Sequence, residues 1–175
     1  MNDYDQRILT QYDIGRLRLR NRLAVAPMTR VSATEAGLAT AEMARYYERF
    51  AKGRFGLVIT EGLYTDQKYA QGYPFQPGIS DVEQAQAWRG VTDRVHARHG
   101  AVFAQLMHAG ALNQGNRFKT ATAAPSPVRP KGTQMKFYYG EGQYPLPQAM
   151  SDEDIADAIA GFAQAAVLAT RAAGF

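Results

Sequence analysis

Arg22-Leu-Ala-Val-Ala-Pro-Met-Thr-Arg30 is the stretch that decides how this chain folds. Leu23, Val25 and the alanines beside them form the near-continuous apolar run expected of a parallel strand covered on both faces. Pro27 has no N–H to give a sheet ladder, so pairing should end about there. Thr29 then emerges as a polar group at the strand exit. Two runs downstream share this construction, Phe55-Gly-Leu-Val-Ile-Thr-Glu-Gly62 and Ala101-Val-Phe-Ala-Gln-Leu-Met-His108. Each ends in groups able to hydrogen-bond a ligand, and the carboxyl ends of parallel strands are where open α/β sheets and barrels place their sites.

The segments between these runs read as helices. Thr40 is placed to cap one in which Met43, Tyr46, Tyr47 and Phe50 recur at helical spacing up to Gly53. Ser80-Asp-Val-Glu83 has the spacing of a capping box and should open a second helix that buries Trp88, Val91 and Val95, runs to His99 and is stopped by Gly100. Ser151-Asp-Glu-Asp154 opens a third, with Ile155, Ile159, Phe162, Ala166 and Val167 on one face. Ahead of the first strand, Gln11–Ile14 and Leu17–Arg20 flank Gly15-Arg16, the signal for a tight hairpin that would plug one end of a barrel. A proline- and glycine-rich segment, 112–150, far exceeds an ordinary strand-to-helix loop and predicts a lid or site wall.

Three strand-helix units in succession predict an α/β fold of parallel strands with crossover helices, in one domain over 1–175. Arg171-Ala-Ala-Gly-Phe175 repeats the punctuation that precedes each earlier strand. Three strands cannot close a barrel and leave unpaired edges, so the expectation is that these residues work with the remainder of a longer polypeptide or with a partner chain.

Composition narrows the function. With 175 residues, 46% of them hydrophobic, the chain is long enough for a sizeable core, and the lack of cysteine excludes disulfides and thiolate metal sites. The N-terminus carries no signal-peptide pattern and no uninterrupted apolar run of roughly 18 residues follows, so a cytoplasmic location without membrane contact is expected. A net charge of +4 raises nucleic acid as a partner. The one concentrated basic stripe, Arg16, Arg18, Arg20 and Arg22, reads instead as a charged strand edge, and no aromatic-basic platform accompanies it.

Taken in order, Asn21-Arg-Leu-Ala-Val-Ala-Pro-Met-Thr-Arg30, Ile59-Thr-Glu-Gly62, Gly72-Tyr-Pro-Phe-Gln-Pro-Gly-Ile79, Trp88-Arg89 and Ala104-Gln-Leu-Met-His-Ala-Gly110 resemble the amino-terminal part of the Old Yellow Enzyme family, FMN-dependent ene reductases built on a (β/α)8 barrel. The resemblance implies that Ala26, Pro27 and Met28 touch the isoalloxazine and that Thr29 hydrogen-bonds its O4 region, where a donor stabilises negative charge on the reduced ring. It implies a backbone N–H from Gly62, whose missing side chain permits close approach, and the amide of Gln105 on the pyrimidine edge. Met107 and Tyr73 would line the substrate pocket. The reductant would be NADH or NADPH, the substrate a small electron-poor alkene such as an α,β-unsaturated carbonyl, and a homo-oligomer is possible.

From spacing alone, Thr29 reads as a loop cap and Gln105 as a buried amide; the resemblance reverses both. Glu61 reads as the partner of a basic residue, His96 and His99 as imidazoles favoured by a helix C-terminus rather than metal ligands, and Tyr138 and Tyr139 as aromatic loop packing. Strand alternation turns His108 away from the face of Gln105 and Met107. In the family, the His or His and Asn pair that holds the substrate carbonyl, the proton-donating tyrosine and the phosphate-binding loops all come after the third helix. The expectation is therefore no catalytic residue within these positions and no turnover from them alone. A non-catalytic truncated fragment with weak or no flavin binding is the rival reading. An aldolase-like or lyase-like barrel has no lysine or carboxylate pair at a strand exit to support it.

Overall fold

The computed structural model describes residues 3–175. A short helix α1 (Asp3–Ile8) leads into the expected hairpin, β1 (Tyr12–Ile14) and β2 (Leu17–Leu19), antiparallel with Tyr12 opposite Leu19. Gly15 makes its turn at φ +57, a conformation natural to glycine. Three parallel strands follow in the order β3 (Ala24–Val25), β4 (Leu57–Tyr64) and β5 (Ala101–Met107), with α2 (Ala41–Lys52) after β3 and α3 (Val82–His96) after β4. Beyond β5, a two-residue parallel pair, β6 (Ala123–Ala124) with β7 (Gln148–Ala149), ties together the ends of the long insertion. Helix α4 (Asp152–Leu168) closes the chain, continuing as a π-helical turn, Ala169–Ala173.

The sheet is the arc of a partial (β/α)8 barrel with its helices on one face. Val25, Val58, Leu63 and Val102 point from the strands into a core shared with Met43, Tyr47 and Ala51 of α2, Trp88, Val91 and Val95 of α3, and Ala165 and Leu168 of α4. Trp88 is fully buried, donates its indole N–H to Gly78 O at 3.2 Å, and packs on Tyr47 and Phe175. The opposite face, toward the barrel interior, is open. Ala24 and Ala26 are exposed, so the first strand is covered on one side rather than the two its composition suggested, because the strands that would face it across a barrel are not among these residues.

One irregularity sets which side chains face which way. Between β4 and β5 the register runs Val58 to Val102 and Ile59 to Phe103, then resumes at Gly62 to Gln105, so β4 carries one extra residue at Thr60–Glu61. Such a bulge breaks the ladder locally. Thr60 repairs it, its hydroxyl accepting the Gln105 N–H at 3.1 Å, while the Glu61 N–H donates to the Tyr47 hydroxyl at 3.0 Å. Strand β4 therefore continues two residues past Gly62, where the sequence suggested its end.

Helix ends follow capping chemistry, with corrections. Thr40 caps α2 by accepting the Met43 N–H, and Ser151 and Asp154 form a full capping box on α4. On α3 the cap is Asp81, which accepts the Gln84 N–H at 2.8 Å; Ser80 lies outside and bonds the Gln84 side chain instead, so no Ser80–Glu83 box forms. That helix ends at His96, and His99, not Gly100, takes the left-handed turn at φ +54. Glycine at 100 serves packing: a Cβ there would stand 2.8 Å from the Ala51 methyl. Helix α4 buries Ala165, Leu168 and Ala169 and turns the predicted apolar stripe, Ile155, Ile159, Phe162 and Val167, to the exterior. With its continuation, Asp152–Ala173 reaches the length and mean hydropathy of a membrane span, although polar residues such as Asp157, Gln164 and Arg171 interrupt its apolar run.

The hairpin sits at the amino ends of the strands, where Arg20 donates to the carbonyls of Arg98 and His99. The arginine stripe is thereby divided: Arg18 pairs with Asp13 at 2.8 Å, and Arg22 bonds Thr10 and lies over the Tyr12 ring.

Candidate functional site

Strands β4 and β5 end at one level, Tyr64 opposite Met107, and the chain leaving β3 runs on beside them. Gly62 is opposite Gln105 in the ladder, and four residues on from the Val25–Val58 pair the chain leaving β3 reaches Thr29 as β4 reaches Gly62. The Arg30 N–H, next to Thr29, bonds the Glu61 carboxylate, next to Gly62, at 3.0 Å. Thr29, Gly62 and Gln105 thus come together, with Ala26, Pro27 and Met28 exposed ahead of Thr29.

Glu61 is fully buried and has no ion-pair partner among the described residues, contrary to the expectation of a basic neighbour in contact. Its Oε2 accepts the Arg30 N–H and its Oε1 accepts the Tyr47 hydroxyl at 3.1 Å. Burial pushes its pKa up, opposed by the Arg30 amide, the Tyr47 hydroxyl, the Arg30 charge and the Val31 amide. The Arg30 guanidinium lies over the Tyr46 ring, 4.4 Å from its centroid. Val31 follows at φ +53, an unusual conformation for a β-branched residue and a mark of strain in this exit loop.

Gly62 does have a slot in place of a side chain, and Met107 uses it. A Cβ on Gly62 would stand 2.6 Å from the Met107 sulfur and 3.1 Å from its Cβ. The reach of Met107 continues toward Gly72, where its methyl would lie 3.6 Å from a Cβ. Gln76, fully buried, holds this corner by donating to Gly62 O at 2.9 Å and accepting the Gly72 N–H at 2.7 Å. Tyr73 stands beside it. Burial pushes its phenol up, and the neighbouring Thr29 hydroxyl pulls it down; Tyr73 Oη is buried and has no hydrogen-bond partner among the described residues.

The long insertion covers this corner. Its Gln114 N–H bonds Gly72 O at 2.6 Å, Asn113 bonds Gln71 O, and Tyr138 packs on Tyr73 with ring centroids 4.8 Å apart, Tyr139 on Phe75 at 5.4 Å. Both tyrosines pack within the loops of this corner. His108 points the other way, toward Asp66, with Nε2 3.7 Å from Oδ2. Its Nδ1 accepts the Gly110 N–H at 3.1 Å.

The arrangement offers an open apolar platform, Ala26-Pro27-Met28, edged by a hydroxyl, a strand-end glycine and an amide. The Gln105 side chain makes no hydrogen bond among the described residues, and the Tyr73 hydroxyl is orphaned, so the rim has unfilled polar capacity. This donor set fits the polar edge of a flat heterocycle such as a flavin. No group of three or more metal-ligating side chains is gathered among the described residues. Sequence reasoning missed Tyr47 and Gln76 as members of the site: Tyr47 reads only as an apolar helix position, and no pattern distinguishes Gln76 within its loop.

Known proteins share this fold and much of this sequence. The chain is 32% identical over 170 residues to 12-oxophytodienoate reductase 7 of Oryza sativa subsp. japonica, covering 94% of this chain and 42% of that protein. It is 34% identical over 172 residues to a Leishmania infantum protein named "Probable flavin mononucleotide-dependent alkene reductase", covering 93% and 45%. The solved structure of the old yellow enzyme homologue from Zymomonas mobilis superposes with a TM-score of 0.85 at 31% identity, covering 95% of this chain and 46% of that one. The chain spans less than half the length of each of these relatives. The model of one family matches residues 8–175, and on that match the chain belongs to the NADH:flavin oxidoreductase / NADH oxidase family.

Proposed function

We propose that this chain forms the flavin-facing part of an FMN-dependent ene reductase that uses NADH or NADPH to reduce electron-poor alkenes such as α,β-unsaturated carbonyl compounds. The observation that supports it most is the meeting of Thr29, Gly62 and Gln105 at the ends of three adjacent strands, beside an exposed apolar platform. Bound FMN would supply hydride transfer, a chemistry no side chain offers.

In this reading Ala26, Pro27 and Met28 seat the ring by apolar and backbone contact, the Thr29 hydroxyl holds its O4 region, and Gln105 holds the pyrimidine edge. Gly62 contributes its backbone, with Met107 rather than an empty slot over it. Tyr73 and Met107 wall the substrate side, under the cover of the insertion. The groups that would hold the cofactor phosphate and the substrate carbonyl are assigned to the remainder of the barrel. The 175 residues alone are accordingly expected to bind FMN weakly and to show no NAD(P)H-dependent alkene reduction.

Equilibrium dialysis against FMN, read by flavin absorbance, tests the assignment. Saturable binding that weakens on Thr29→Ala or Gln105→Ala supports it. Binding that ignores both substitutions, or none at all, favours the second reading: a non-catalytic fragment whose exposed Phe103 and α4 stripe await a partner.

A further inference from the structure

We propose that Glu61 is a positioning residue: a buried carboxylate clamp that fixes the loop leaving β3, and with it the Thr29 hydroxyl. The clamp itself is read from hydrogen bonds; what Thr29 is held toward rests on the flavin reading above.

Both Glu61 oxygens are occupied, Oε2 by the Arg30 amide at 3.0 Å and Oε1 by the Tyr47 hydroxyl at 3.1 Å, and the residue is fully buried. A substrate has no access to it, so it is not a candidate acid or base. Among the described residues, the backbone of 27–31 makes its hydrogen bonds to the sheet through this carboxylate, because Pro27 has no N–H and the Arg30 carbonyl bonds only the nearby Ser32 hydroxyl. Strand β3 stops pairing at Val25. The loop is therefore free of the ladder and strained at Val31, and its backbone is held by a side chain from the bulge of the neighbouring strand, while the Arg30 side chain rests on Tyr46. Tyr47 completes the clamp from α2, accepting the Glu61 N–H while donating to its carboxylate. A carboxylate suits this place because it accepts from two donors at once and makes stronger hydrogen bonds than a neutral oxygen.

The test is amide hydrogen exchange on the full chain, alongside FMN dialysis. Glu61→Leu should speed exchange of the Arg30 amide about tenfold or more, the equivalent of one lost hydrogen bond, while β5 and the centre of α3 change less than about twofold. Glu61→Gln should restore most of the protection, its carbonyl taking the Arg30 N–H and its amide donating to Tyr47. Tyr47→Phe leaves the Arg30 bond in place and should give an intermediate gain of about threefold. FMN affinity should follow the same order. Unchanged exchange of the Arg30 amide in Glu61→Leu overturns the clamp; if that variant does not fold, unchanged exchange of that amide in Tyr47→Phe does so. Wild-type chain that fails to bind FMN refutes the flavin reading, while the exchange data still decide the clamp.

Discussion

Strands β4 and β5 read alike in sequence, each an apolar run ending in polar groups, yet they live in different surroundings. Strand β4 has a neighbour on both edges and lies under α2 and α3; most of its length is buried, and the helix above it sets Trp88 at 0% exposed. Strand β5 has a neighbour on one edge only. Its Phe103 is 39% exposed, and Ile159 of the helix that follows is 67% exposed. The difference teaches that apolar character prescribes a need for cover, and that the neighbours present decide whether the need is met. Here β4 and α3 form the finished part of the barrel wall, β5 and α4 the unfinished part.

That contrast can be broken most directly by substitution on either side. Trp88→Ala should cost about 3–5 kcal/mol and abolish cooperative urea unfolding followed by circular dichroism. Phe162→Ala should cost less than about 1 kcal/mol by the same measurement; equal losses would show that α4 is covered in solution. Within the finished part, Gly90 is an exposed helix position where an added Cβ meets nothing within 4 Å, so Gly90→Ala should raise stability by about 1 kcal/mol. A fall instead would mean that α3 is less regular than described.

The seam between the two parts offers a titration. His108 at the end of β5 faces Asp66; burial lowers its pKa, with Asp66 pulling the other way. A base whose folded pKa lies below its unfolded value favours the native state while neutral. Its contribution is complete above the unfolded pKa of about 6.5 and is lost as pH falls through the lower folded value. Protonation would also set a ring N–H against the Gly110 N–H. The urea midpoint should therefore drop between about pH 7.5 and pH 5.5, and drop less in His108→Gln; identical pH profiles would separate His108 from the seam's stability. The smallest effect is expected from Ile159→Glu, which should leave the unfolding midpoint unchanged and lower concentration-dependent association in sedimentation velocity, since exposed apolar surface promotes association.

Much of this was legible in the sequence where local chemistry rules. The hairpin turn at Gly15, the cap at Thr40, the helix opening at Ser151 and the buried run Trp88, Val91 and Val95 all stand where spacing put them. What escaped was decided by neighbours distant in sequence. Ser80 and Asp81 are both able to cap, and the packing of Ser80 on Gln84 selects Asp81. Glycine at 100 suggested a left-handed stop, but the tight approach of Ala51 claims that position and His99 bends instead. The acid at Glu61 looked like half of an ion pair, since nothing local shows that a backbone amide and a tyrosine 14 residues earlier converge on it.

The extra residue in β4 behaves like a shift of reading frame written in three dimensions. Ahead of it, even-numbered side chains such as Val58 face the helices; after it, odd-numbered ones do, as Leu63 and Glu61 attest. Were Thr60 and Glu61 both paired in a regular ladder, without the bulge, every following residue of the strand would be turned over, presenting Leu63 to the ligand side and Gly62 to the hydrophobic interior. The chemistry at the mouth of this sheet is thus set by a bulge as much as by the identity of any side chain.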